Sequence, residues 1–143
     1  MSKTSFALVT LEFFSGLFLT FYTATVAPSF WALFQCLAIA LAVWGVLSLG
    51  IKNLQSQPEV KSDMLIKKGP YRLLRNPIYL GLLLFFLPLV WHDGRIIVTL
   101  VYTLLAGIIF YKIVLEEVYL EERFGEEYLA YKKDTYSLIP FIF

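Results

Sequence analysis

From Phe13 to Ile51 the chain carries no formally charged residue, a stretch of 39 positions. One helical membrane crossing takes roughly 20 apolar residues, so the stretch holds two helices. Pro28-Ser29 is the natural break between them, because proline ends a helix and the pair reads as a turn. It divides the stretch into helices at about 5–27 and 30–51. So short a connection makes the two antiparallel neighbours. Composition agrees with a membrane setting: hydrophobic residues make up 59% and charged residues 16% of 143 positions, far more apolar than a soluble domain, in a length that suits one domain over 1–143.

The remainder of the chain divides at its polar stretches. A loop over 52–76 contains Asn53, Gln55, Ser56, Gln57 and Pro58 and carries six basic residues. A third helix is expected over 77–91. Its apolar run, Ile78 to Trp91, has 14 residues and rises only about 21 Å against a hydrocarbon core of about 30 Å. It therefore either starts before Pro77 or forms a tilted hairpin with a fourth helix over 95–115, across the turn at His92-Asp93-Gly94, with Pro88 kinking it. If all four helices cross, Lys3, the six loop cations, Lys112, Arg123, Lys132 and Lys133 share one side and only Arg95 lies on the other. That asymmetry places both termini, the loop and a polar tail over 116–143 in the cytoplasm. The expected fold is thus an all-α polytopic membrane protein with about four transmembrane helices and a cytoplasmic helical tail. In that tail Gly125 offers a break, and Tyr128 and Tyr131, three apart, share a face. The net charge of +1 argues against a nucleic-acid partner.

The richest polar junction runs from Gly69 to Gly81. Asn76 is a favourable N-cap and Pro77 a favourable first helical residue, so a helix start with open amide hydrogens is expected there, suited to a carboxylate. Tyr71 and Tyr79 add aromatic faces that suit a flat base or a cation. The plainer alternative is a cap at the membrane surface, with Arg72 and Arg75 as interfacial anchors. Lys112 and Glu116, spaced i, i+4, lie on one face near the same level. They line a cleft with that helix start or form a surface ion pair worth a few tenths of a kcal/mol. Glu12 is the one acid within a span, a functional candidate by position or a residue that reaches water near the helix end. Cys36, alone in an apolar run, allows no internal disulfide and reads as a helix-packing residue. His92 belongs to the opposite turn. The sequence has no metal-ligand cluster, no Ser/His/Asp set and no phosphate-binding glycine loop.

Two spaced motifs then carry a resemblance. Gly69-x-Tyr71-x-x-x-Arg75-Asn76-Pro77-x-Tyr79-x-Gly81 resembles the G-x-Y-x-x-x-R-H-P-x-Y-x-G signature of isoprenylcysteine carboxyl methyltransferases and the wider phospholipid methyltransferase-like membrane family. Glu116-Glu117-x-x-Leu120-x-x-x-Phe124-Gly125-Glu126-Glu127-Tyr128-x-x-Tyr131, followed by Ile139-Pro140, is similar to the family's closing motif. The resemblance covers roughly residues 63–143 and implies S-adenosyl-L-methionine as methyl donor. Carried over by motif position, Tyr71, Asn76, Pro77, Ile78, Tyr79 and Glu116 would bind it, with Asp63, Met64, Leu65 and Ile66 as a looser lining. Lys112 stands where eukaryotic relatives place an arginine facing the acceptor, which makes Lys112 and Glu116 the implied catalytic pair. Asn76 replaces the signature histidine, and Ser137 stands where many relatives carry an arginine. Asn keeps hydrogen-bonding capacity but cannot titrate near neutral pH.

The resemblance implies a multi-pass integral membrane methyltransferase acting on a lipophilic small-molecule or lipidated acceptor among membrane lipids. It would lie in the inner or plasma membrane of a prokaryote, as the short chain hints, or in the endoplasmic reticulum of a eukaryote. Prenylcysteine carboxylate, phospholipid amine and thiol acceptors all fit the family, and Glu12 is expected to be dispensable for cofactor binding. From a different class, a small four-helix multidrug or cation transporter would make Glu12 essential. A non-catalytic membrane interaction protein and a nicotinamide-using reductase on a similar scaffold complete the alternatives.

Overall fold

A computed structural model describes residues 3–22, 29–50 and 65–138. Pro28, Asp63, Met64, Pro140 and the 51–64 part of the loop lie outside the described residues. The elements are α1 (Lys3–Tyr22), α2 (Ser29–Leu49), a 3-10 turn (Gly69–Arg72), α3 (Pro77–Asp93), α4 (Ile96–Phe124) and α5 (Glu126–Asp134). The architecture is all-α. By length and composition, two helices can cross a membrane, Phe30–Leu49 and Ile96–Phe124, while Ala7–Tyr22 and Pro77–Asp93 are shorter apolar helices. Only 17% of the apolar window in Phe30–Leu49 is buried within the protein, so this is not the core helix of a soluble fold. Phe21 and Ile96 are 81% and 78% exposed, and apolar surface on that scale needs lipid or a partner to cover it.

Two boundaries differ from the sequence expectation. The fourth helix does not stop near residue 115; it runs unbroken to Phe124, where Gly125 at φ +50° ends it. Helix-favouring Glu, Leu and Arg extend it past the apolar part, and its 29 residues give about 43 Å, well beyond a hydrocarbon core. The short α1–α2 connection does not make those helices packing partners. α1 packs chiefly on α4, and α2 on α3.

Small residues explain the second pairing. A Cβ on Gly81 would lie 2.8 Å from the Ala38 carbonyl oxygen and 2.8 Å from Ala42 Cβ, and one on Gly45 would lie 2.8 Å from Ile78 Cγ1. Ala38, Ala42 and Gly45 thus form the small-residue stripe that lets α3 approach α2 at backbone distance. Pro88, buried inside α3, removes one helical donor. The carbonyl it frees is Leu84 O, and those on either side accept from neighbouring helices, Leu83 O from Tyr102 Oη at 3.1 Å and Phe85 O from Gln35 Nε2 at 3.2 Å. Cys36 is exposed rather than packed inside.

The core comprises Leu19 of α1, Phe86 and Leu89 of α3, Val98, Leu105, Ile109 and Ile113 of α4, and Leu138 beyond α5. At one end, Arg95 ties the α3–α4 turn to α1, donating to Tyr22 O at 2.6 Å and stacking on its ring at 4.2 Å. The polar residues of the two motifs gather toward the other end.

Candidate functional site

The approach to α3 is shaped by one glycine. Gly69 has φ +55°, and a Cβ there would fall 2.1 Å from Ser48 Oγ and 3.0 Å from Trp44 Nε1 of α2. Only glycine meets both the left-handed backbone and the close approach. The 3-10 turn that follows buries Tyr71, whose carbonyl accepts from Tyr131 Oη of α5 at 2.7 Å. Burial raises the Tyr71 phenol above its ordinary range, and the nearby Glu116 carboxylate adds to the shift; Tyr131 is pushed up to about 12, chiefly by burial. Both stay neutral hydrogen-bonding groups at physiological pH.

Beyond the turn, the chain is clamped to the segment after α5. Leu74 and Tyr136 form a parallel bridge, with Arg75 N donating to Tyr136 O at 2.7 Å and Tyr136 N to Leu73 O at 2.9 Å. Arg75 Nε donates to Glu117 Oε1 at 2.9 Å, and its Nη1 to the Thr135 and Lys132 carbonyls at 2.5 and 3.2 Å. Lys132 Nζ sits 2.9 Å from Glu117 Oε2, and Ser137 Oγ donates to Glu117 at 3.1 Å. Asn76 occupies the N-cap position of α3 but makes no side-chain cap. Its Nδ2 instead donates to Ser137 O at 3.1 Å and Ser137 Oγ at 3.2 Å. Two of the three positions that depart from the resembled pattern, 76 and 137, are therefore direct partners. Arg75 is a joint between motifs rather than a surface anchor.

The second acid of the Glu116-Glu117 pair faces this clamp; the first faces away from it, as the 100° step along a helix requires. Tyr79 Oη donates to Glu116 Oε1 at 2.6 Å. One turn deeper, Lys112 Nζ meets Glu12 Oε2 of α1 at 2.5 Å and lies 5.1 Å from the Tyr79 ring centre. The Lys112 and Glu12 side chains are 3% and 18% exposed, so this is an interior pair and not a solvated one. Two acids, Glu12 and Glu116, thus share the space around Tyr79 with one cation, Lys112.

Of the residues implied by the resemblance, Tyr79 and Glu116 meet at 2.6 Å, and Tyr71 is near enough for the Glu116 carboxyl to help raise its phenol. Pro77 and Ile78 turn toward α2, packing near Gly45, and Asn76 is held by Ser137. Leu65 and Ile66 lie half-buried just before the 3-10 turn. Asp63 and Met64 fall outside the described residues. Sequence reasoning missed Glu117 as a hub and the pairing of Glu12 with Lys112. The first had a signal in the excess of cations over acids in the 52–76 loop; the second joins residues 100 positions apart, and no local pattern announces it.

A sequence model of a family described as phospholipid methyltransferase matches residues 26–127. The chain is also 30% identical over 112 residues to a protein-S-isoprenylcysteine O-methyltransferase of Schizosaccharomyces pombe, covering 76% of this chain and 48% of that protein. It thus spans about half the length of that curated relative. No solved structure matches. With the family match extending over most of the chain and both polar motifs assembled around the start of α3, the protein belongs to the phospholipid methyltransferase family.

Proposed function

We propose that the protein is an integral membrane methyltransferase that uses S-adenosyl-L-methionine to methylate a lipophilic acceptor. The observation that carries this reading is the meeting of Tyr79 and Glu116 at 2.6 Å beside the start of α3. A partly buried carboxyl next to an aromatic ring, in a cluster of two acids and one cation, suits a cationic ligand. When bound, S-adenosylmethionine supplies a methyl group on an already activated sulfonium. The protein therefore needs no strong base; it needs to orient the two reactants and exclude water.

In this assignment Glu116 holds the ammonium or the ribose hydroxyls, Tyr79 fixes the Glu116 rotamer, and Tyr71 walls the ring. The backbone N–H groups of Ile78 and Tyr79, where α3 begins, offer the dipole end to a carboxylate. Leu65 and Ile66 line the approach, and Asp63 and Met64 are assigned to the same lining by motif position alone. Asn76 acts through Ser137, fixing the segment after α5 to the start of α3. Lys112 lies one turn deeper toward the acceptor side. The acceptor class follows the family: a prenylcysteine such as the fission-yeast relative is named for, or a phospholipid as in the family description. Both are lipophilic, and the exposed apolar faces of the helices give such a molecule a lateral route. A transporter built on Glu12 gains no support from the family match.

The same reading extends to topology: four membrane-embedded helices with both termini cytoplasmic, supported by the cation asymmetry across the chain. A reporter fused after Phe143 should read as cytoplasmic; an outside reading overturns this arrangement. The enzymatic reading is tested by methyl transfer from labelled S-adenosylmethionine to prenylcysteine, phospholipid and thiol acceptors in membranes holding the protein. Incorporation into at least one acceptor is expected, and none into any of them, with properly inserted protein, contradicts it.

A further inference from the structure

We infer that Glu12 of α1 is a positioning residue for the cofactor site: it holds Lys112 and so keeps Glu116 available to a cationic ligand. This rests on the methyltransferase reading and goes beyond it, since Glu12 lies outside both motifs, and it reverses the expectation from sequence that Glu12 is dispensable for cofactor binding.

Lys112 and Glu116 are i, i+4 on α4, the arrangement in which a lysine and a glutamate on a helix pair with each other. In the structure Lys112 instead reaches across to α1 and meets Glu12 at 2.5 Å, with the Tyr79 ring 5.1 Å away. Glu116 is engaged by the neutral hydroxyl of Tyr79 at 2.6 Å. Two acids and one cation share this interior space, and the cation is paired with Glu12, while Glu116 contacts Tyr79 in the first turn of α3. The consequence is that Lys112 does not occupy Glu116.

Removal of Glu12 changes that allocation. A lysine 3% exposed cannot be left without a counter-charge, because a buried unpaired ammonium is costly. Its remaining acid within reach is Glu116, which already feels the Lys112 charge. The two would pair, and the carboxylate that should face the ligand would be neutralised. α1 therefore contributes to binding without touching the ligand.

The account predicts a specific pattern in a double-mutant cycle. The readout is S-adenosylhomocysteine affinity in detergent, with kcat and KM for S-adenosylmethionine alongside. Glu12→Gln should weaken binding by about tenfold or more and raise KM more than it lowers kcat. Lys112→Met should bind nearly as well as wild type. Glu12→Gln combined with Lys112→Met should recover to within about threefold of wild type, because no lysine remains to capture Glu116. Glu12→Asp should keep most of the affinity. Unchanged affinity in Glu12→Gln, or a double variant as weak as the single one, overturns the inference. If Glu12→Gln cannot be purified folded, the remaining pair decides: Lys112→Met and the double variant must bind alike, and a loss of about tenfold on adding Glu12→Gln to Lys112→Met refutes the positioning role. Failure of wild type to bind at all would instead count against the methyltransferase reading.

Discussion

Two neighbouring acids at the end of α4 serve two clusters of opposite character. Glu117 is met by Arg75, Lys132 and Ser137, all at 2.9 to 3.1 Å, and every one of those partners belongs to a segment that must be held in place. Glu116 is met by one neutral phenol, and the nearest buried cation is paired with Glu12. The first cluster has more cations than acids and spends its hydrogen bonds inside the protein. The second has more acids than cations. Compensated charge marks a structural joint; uncompensated charge at a partly buried position marks a place prepared for a ligand.

The largest effect should come from breaking the joint. In Glu117→Ala, Arg75 and Lys132 lose a common partner whose side chain is only 15% exposed, and loss of one member of such a buried pair costs about 3 kcal/mol. Thermal unfolding in detergent should shift down accordingly, and hydrogen exchange should show α5 and the Leu74–Tyr136 bridge opening while α1 and α2 keep their protection. Equal protection of α5 in the variant would dissolve the distinction between the clusters. A smaller effect is expected in the other cluster: Tyr79→Phe removes the hydroxyl that orients Glu116 and should weaken S-adenosylhomocysteine binding by about tenfold, or about 1.4 kcal/mol, with little change in thermal stability. A stability loss without an affinity loss would move Tyr79 into the structural class. The smallest is Ser137→Ala, which removes one donor to Glu117 and one acceptor from Asn76 but leaves the Ser137 carbonyl in place. It should cost about 1 kcal/mol of stability. An Asn76→Ala change on top of it should then cost less than it does alone, since the two residues are coupled.

The helical character and the break at Gly125 were legible because apolar runs and glycine act locally. The continuity of α4 was not, since the change from apolar to polar at Glu116 looks like an element boundary although neither side disfavours a helix. Pairing of α1 with α4 was hidden for a different reason: a short connection limits distance but does not choose a partner, and the small-residue stripe of Ala38, Ala42 and Gly45 chose α3 for α2. In the candidate site, Tyr71, Tyr79 and Glu116 could be named from their motif spacing. The use of Asn76 could not, because an N-cap reading considers only the helix that follows, while its actual partner, Ser137, lies 61 positions away. Glu12 was visible as an intramembrane acid, yet its task depends on where α4 places Lys112.

The central claim is that Glu116, not Glu117, offers its charge to the methyl donor. A titration of S-adenosylhomocysteine into purified wild type and Glu116→Gln tests it most directly, since glutamine preserves shape and removes only the charge. Saturable binding to wild type and a loss of about a hundredfold in Glu116→Gln, about 2.7 kcal/mol, is the predicted result. Wild type and Glu116→Gln binding with equal affinity would contradict it.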